Sequence, residues 1–342
     1  KERYKERCKS YRSQISSGKR DFKRMKPRGG TEIQFDELKK RLPEKFWDRV
    51  TITTSVPEKT PIDPTKLNIL WLKNSYDQPN LAPWFSRKEN HNKYDWYVFN
   101  SHWSYEKYRI YFDVPTDRCI VIKNALPNIK WIQRTHYKAD KVLKLIYVST
   151  PWRGLNVLLS AMHHLVNEEI SLDVYSSTQI YGDAFKKAND DEYKPLYDHA
   201  REMSNVNYKG YAPHDKIIEE MQQSHIFAYP SIWEETSCNS AIEAMAAGNL
   251  PLVTNFGALP ETCGDYGFYV NYDTDPDLLA REYAAHVKYI KRILPTEALQ
   301  LQLNNQRQHY IHFYSWERRI QEWIAFLKNA LDKKGIKHDT DE

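Results

Sequence analysis

Residues 227–264 read "FAYPSIWEETSCNSAIEAMAAGNLPLVTNFGALPETCG". An apolar run, "HIFAYPS", leads into a polar loop. An alanine-rich stretch follows and stops at Gly248, then comes a second apolar run, "LPLVTN", and a short helix at "LPETCG". Strand, loop, helix, strand, turn and helix in that order are β/α units of a parallel sheet. Thr236 and Ser237 are natural caps for the helix, and Ala244, Ala246 and Ala247 let it pack closely. Two carboxylates stand out, Glu235 in the loop and Glu243 on the helix, with seven residues between them. Helical side chains lean toward the N-terminus, so Glu243 can reach back to the crevice that Glu235 borders. In open α/β sheets, ligands bind outside the carboxyl ends of the strands, and helix N-termini there attract anions. Spacing alone also admits a plainer arrangement, with Glu235 assisting the cap and Glu243 on the surface.

The same rhythm extends in both directions. After the Gly29–Gly30 turn, Thr31 is placed to cap a helix carrying Ile33, Phe35, Leu38 and Leu42. Strands are expected at "VTITTSV", "LNILWL", "DWYVFNS" and "RCIVIKNAL", with "HWSYEKYRIYF" as a helix. A polar stretch ends near Asp140, and a second block opens with "VLKLIYVS". Helical stretches from Asp277 to Lys291 and from Thr296 to Lys328 close the chain. The expected organisation is a basic segment (1–28), a first Rossmann-like domain (29–139), a second (140–313), and a C-terminal helix and tail (314–342) that cross back to the first.

Composition narrows the class. The 342 residues include 10 Trp, 24 Tyr and 12 Phe and are 41% hydrophobic, which is a globular and not a disordered balance. Cys8, Cys119, Cys238 and Cys263 are scattered without zinc or disulfide spacing, which points to a reducing, cytoplasmic setting. No apolar run is long enough to span a membrane. The net charge of +5 is concentrated: residues 1–28 hold 12 Lys/Arg against 3 Asp/Glu, a net +9. The remainder, with 38 basic and 42 acidic residues, stands at −4. Such a segment suits a solvated arm, peripheral contact with a membrane, or a place in a longer multidomain protein; the initial Lys fits the last. Nucleic acid is a less favoured partner.

Two further loops fall on the same rim. "TPWRGLNVLLSAM" puts Arg153 at a helix start, where a guanidinium can grip a diphosphate through two oxygens, or form a structural ion pair. In "FGALPETCG", Gly257 allows a close approach, and the Ala258 and Leu259 amides open a short helix. Asp273-Thr274-Asp275 is a D-x-D match of the kind that holds a divalent cation. It also precedes a helix, where Asp is a common cap, and the cap is preferred.

Taken together, residues 227–267 resemble the donor-binding half of glycosyltransferase family 4, the glycosyl transferases group 1, with Glu235 and Glu243 at its E-x7-E pair. "YVSTPWRGLNVLLSAM", "SWERRIQEWIAFL", "GGTEIQFDEL", "FNSHWSYEKY" and "VIKNAL" carry the resemblance from Gly29 to Leu327. It implies an α/β GT-B fold of two doubly wound parallel-sheet domains facing a cleft. It also implies retaining transfer of a sugar from a nucleoside diphosphate, UDP or GDP first, to a glycan or other hydroxyl, with no metal and no cofactor. Glu235 would then sit at the donor sugar, Glu243 at the ribose hydroxyls and Arg153 at the diphosphate, as the pair carrying catalysis with Glu235. Ser149, Ser237, Cys238, Asn239, Ala258 and Leu259 would complete the donor contacts, with Tyr211 by the base and Gly29 and Gly30 over the phosphates.

Three departures accompany the resemblance. Thr236-Ser237-Cys238 replaces a glycine-rich run, which stiffens the loop. Lys73 stands where relatives often carry histidine, and His102 reads as an ordinary helix start. The strand expected before Gly29 is replaced by the basic "GKRDFKRMKPR", so the first domain is expected to be trimmed or rearranged. A nucleotide-sugar-binding scaffold, a GT-B transferase acting on nucleic acid and a nucleotide-sugar epimerase are the rival functions.

Overall fold

A computed structural model describes residues 29–129, 131–132, 134, 141–181 and 183–337. The basic segment and the expected boundary at Asp140 lie outside the described residues. Strands β1 (Val50–Thr54), β2 (Leu67–Leu72), β3 (Trp96–Phe99) and β4 (Cys119–Val121) form a parallel sheet in sequential order. Every residue of β2 is buried, which is why "LNILWL" is apolar but for Asn68, whose side-chain amide donates to the Asp63 and Lys66 carbonyls: helices cover both faces of a parallel sheet. Its helices are α1 (Gly30–Arg41), α2 (Glu44–Trp47), α3 (Ala82–Phe85) and α4 (His102–Phe112).

The second sheet contains β5 (Leu143–Val148), β6 (Ile170–Tyr175), β7 (Val206–Tyr208), β8 (Ile226–Tyr229), β9 (Leu250–Thr254) and β10 (Phe268–Val270). All are parallel, in the order β10-β9-β8-β5-β6-β7. The chain builds outward from β5 through β7, then returns to β5's other side at β8, so strand order reverses between β5 and β8. Helices α5 (Leu155–His163), α6 (Asp183–Glu202), α7 (His214–Met221), α8 (Asn239–Ala247), α9 (Leu259–Cys263), α10 (Pro276–Ile293) and α11 (Glu297–Phe313) accompany it.

The last helix, α12 (Trp316–Lys334), leaves the second unit and packs on the first sheet. Trp323 is fully buried and meets Trp71 of β2 edge-to-face at 4.9 Å, beside Phe326 and Leu327. The two chain crossings touch, the Leu126 amide donating to the Tyr314 carbonyl at 2.8 Å. The helical stretch from Thr296 to Lys328 forms two helices, parted at Tyr314 and Ser315; the Ser315 hydroxyl caps α12. Two other caps also differ from expectation. Gly29 caps α1 and Thr31 lies inside its first turn. The helix after Glu235 starts at Asn239 with Cys238 at its cap, so Thr236 and Ser237 cap nothing. Among the described residues no helix is long and apolar enough to cross a membrane.

Candidate active site between the two sheets

The reversal of strand order leaves a crevice beyond the carboxyl ends of β5 and β8, because the connections there diverge to opposite sides. The loop after β5 carries Ser149 and Arg153; the loop after β8 carries Glu234 and Glu235. Two glycines let these loops converge. Gly154 has φ +108°, and a Cβ there would collide with the carbonyl oxygen of Pro230. Gly257 has φ +60°, and a Cβ there would stand 2.6 Å from the Glu235 nitrogen. No other residue tolerates both that backbone conformation and that proximity.

At the convergence, the Arg153 guanidinium donates to Glu235 Oε1 at 2.7 Å, and the Tyr229 hydroxyl donates to the same oxygen at 2.5 Å. Ser149 Oγ lies 3.3 Å from the Tyr229 hydroxyl, extending the chain of contacts. Glu235 is 6% exposed. Burial, reinforced by the adjacent Glu235 charge, pushes the Tyr229 phenol well above its ordinary value, so it stays a donor. Burial likewise holds the Cys238 thiol far above its usual range, and it is no nucleophile there. Arg153 also lies over Trp233, 5.8 Å from the ring centroid.

Glu243 faces the loop before α7, accepting from His214 Nε2 at 2.9 Å. The Glu243 charge raises the imidazole to about 9 against the opposing effect of burial, so the pair is ionic at neutral pH. Tyr211, in the same loop, is 45% exposed. The amides expected to meet a ligand at Ala258 and Leu259 are used internally, on the carbonyls of Glu235 (2.8 Å) and Phe256 (3.3 Å). They brace the Glu235 loop from behind. Asp275 caps α10 through the Asp277 and Leu278 amides, and Asp273 accepts the Asp275 amide.

The first unit closes the opposite side. A Cβ on Gly30 would stand 2.7 Å from Asn239 Nδ2, so the Gly29–Gly30 turn abuts the start of α8. Asn124 donates to Asn239 Oδ1 at 2.7 Å and to Ser237 Oγ at 3.3 Å, and accepts from the Lys73 ammonium. Thr236 donates to the Lys73 carbonyl at 2.9 Å and accepts from Asn100 at 3.2 Å. The hydroxyls expected as caps thus join the two units. Lys73 lies 3.8 Å from the Trp71 ring centroid, and burial with the Arg319 charge holds its ammonium well below the usual lysine range. Glu261 of α9 accepts the His102 and Trp103 amides at 2.9 and 2.8 Å and pairs with Lys123 at 2.5 Å. It caps a helix of the other unit.

His214, Asn124, Lys123 and Glu261 were not singled out from sequence. Each acts on a residue at least 29 positions away, beyond the reach of helical or strand periodicity. The proline before His214 and the helix after it were the available local signal.

The family description Glycosyl transferases group 1 matches residues 130–309. Solved structures with similar folds include a glycosyltransferase from Rickettsia africae (17% identity, TM-score 0.63), covering 88% of this chain and 80% of that one. Anabaena HepE, in complex with UDP and glucose, is 15% identical with TM-score 0.59, over 77% and 72%. The pneumococcal O-GlcNAc transferase GtfA, in complex with UDP and GlcNAc, is 15% identical with TM-score 0.58 over 78% of this chain. This chain spans about half, 53%, of GtfA's length. Among curated proteins the sequence has no match.

Proposed function

The chain belongs to the glycosyl transferases group 1, and from that membership we propose that it moves a sugar from a nucleoside diphosphate to a glycan or other hydroxyl acceptor, retaining configuration and without a metal ion. The observation that carries this reading is the Arg153–Glu235 pair, set at the strand-order reversal and faced by the first unit. Breaking the sugar–phosphate bond develops positive charge on the ring and negative charge on the leaving oxygen. Arg153 and the N-terminus of α5 neutralise the phosphate, while Glu235 stabilises the sugar carbon. As the bond from the anomeric carbon to the phosphate oxygen breaks, the acceptor oxygen bonds to that carbon from the same face. Its proton passes to the departing phosphate. Glu243, held by His214, accepts ribose hydroxyls. The UDP in the pneumococcal and Anabaena structures supports a UDP-sugar as donor, ahead of a GDP-sugar. The scattered cysteines favour action in the cytoplasm.

The test is a thermal-shift and donor-hydrolysis screen with UDP, GDP, ADP and dTDP and their sugars, in EDTA and then in Mg²⁺. One nucleoside diphosphate raises Tm in EDTA, and its sugar is slowly hydrolysed. Glu235→Ala lowers turnover by about 100-fold or more with nucleotide affinity largely kept. Arg153→Ala weakens nucleoside diphosphate binding by roughly tenfold. Wild-type turnover in Glu235→Ala would remove Glu235 from the mechanism.

A further inference from the structure

Aromatic residues near the cleft that lie outside every hydrophobic cluster of the described residues include Trp103 and Tyr111 on α4, and Trp233 two residues before Glu235. Tyr111 is 59% exposed and Trp233 37%. Isolated exposed rings are ordinary, but these are part of a group. Tyr76 stacks on Tyr111 at 4.4 Å with an interplanar angle of 25° and meets Trp103 edge-on at 6.4 Å. The Lys107 ammonium stands 5.3, 5.1 and 6.0 Å from the ring centroids of Tyr76, Trp103 and Tyr111. It also reaches across to Glu234 Oε1 at 3.5 Å. The rings are thereby tied to the loop that holds Glu235.

We propose that this aromatic platform on α4 is the acceptor subsite, and that its occupant is a neutral oligosaccharide lying along the helix from the Glu235 loop outward. The assignment rests on the transferase reading above and names the class of acceptor for that site. Partly exposed rings grouped with polar side chains suit ligands that are apolar on one side and hydroxylated on the other. Sugar rings have that character, and Lys107 and Glu234 supply a donor and an acceptor for hydroxyls. Charge disfavours an anionic chain: Lys107 is paired with Glu234 and Arg109 with Glu106 at 2.6 Å, and Asp77 stands near Tyr76, so the platform offers no excess of positive charge, which suits a neutral chain. From Trp103 to Tyr111 the helix rises roughly 12 Å, longer than a single sugar ring.

The experiment titrates the full chain with UDP and, in UDP's presence, with cellohexaose, maltohexaose and chitohexaose, read by tryptophan fluorescence; transfer kinetics use the same hexaoses with UDP-glucose and UDP-GlcNAc as donors. A serine-rich peptide is the fourth probe. At least one hexaose quenches the fluorescence and serves as acceptor. Tyr111→Ala raises its KM tenfold or more, Tyr111→Phe keeps it within twofold, and UDP affinity is the same in both. UDP binding with no response to any hexaose, or a hexaose KM unmoved by Tyr111→Ala, overturns the subsite alone. A response to the peptide only would make the acceptor a protein and also overturns it. Failure to bind any nucleoside diphosphate removes the donor reading and, with it, this inference.

Discussion

Glu243 shows how one residue's chemistry is set by a partner remote in sequence. His214 holds its proton because Glu243 is 2.9 Å away, and the carboxylate has the imidazolium as a fixed neighbour. The folded imidazole titrates above its ordinary value, so the pair's stabilisation is complete below pH about 6.5. It is lost as pH rises through about 9. The ring's 36% exposure keeps the effect on stability small. In Glu243→Gln the His214 resonance titrates near 6.5 in an NMR pH series; a midpoint still near 9 would show that another group holds the proton. The same residue scale explains Glu235: Arg153 and Tyr229 both donate to it, so its removal takes one acceptor from a buried phenol and a half-buried guanidinium. Glu235→Ala is accordingly less stable by about 1–3 kcal/mol, read in denaturant titrations.

Among the elements, the helix ends around the cleft do most to hold the site together. Gly154 is the left-handed residue that starts α5, and its missing Cβ lets the loop after β5 touch Pro230. Gly154→Ala introduces both backbone strain and a collision, and lowers stability by roughly 2–5 kcal/mol in denaturant titrations. A smaller change would mean that the Pro230 loop yields freely. Glu261 does the corresponding work between units. Burial raises its carboxyl, but Lys123 and the His102 and Trp103 amides outweigh that and hold it below the ordinary value. Its stabilisation is therefore present above pH about 4.5 and is lost as pH falls below that value. Glu261→Gln lowers Tm at neutral pH by an amount equivalent to about 1–2 kcal/mol and flattens the acid limb of the Tm-against-pH curve. An unchanged acid limb would assign that limb to other carboxylates.

For the molecule as a whole, the crossing helix decides whether the cleft exists. α12 fills one face of the first sheet with Trp323, Phe326 and Leu327, while Tyr97 and Phe99 of β3 pack with Phe85 and Tyr108 in a separate cluster. Trp323→Ala leaves a cavity against Trp71 and costs about 3–5 kcal/mol. Because α12 follows directly on the last helix of the second unit, the loss spreads to the cleft. Nucleotide-induced rise in Tm falls with it, even though no donor residue has changed. A variant with lowered Tm but an unaltered nucleotide response would show that the donor half acts alone.

Apolar run length and helix-ending glycines were enough to place the strands, the two sheets and the returning helix, because burial on both faces forces continuous hydrophobic runs in a parallel sheet. Glu235 and Arg153 were likewise marked, and the folded chain pairs them at 2.7 Å. Sequence could not say that Thr236 and Ser237 would bond across the cleft, since a cap and an interface contact use the same hydroxyl and differ only in which helix residue comes first. Nor could it say that the Ala258 amide turns inward to Glu235, or that His214 finds Glu243. Those outcomes depend on where strand order reverses and how closely two loops approach, and only the packed tertiary structure fixes either.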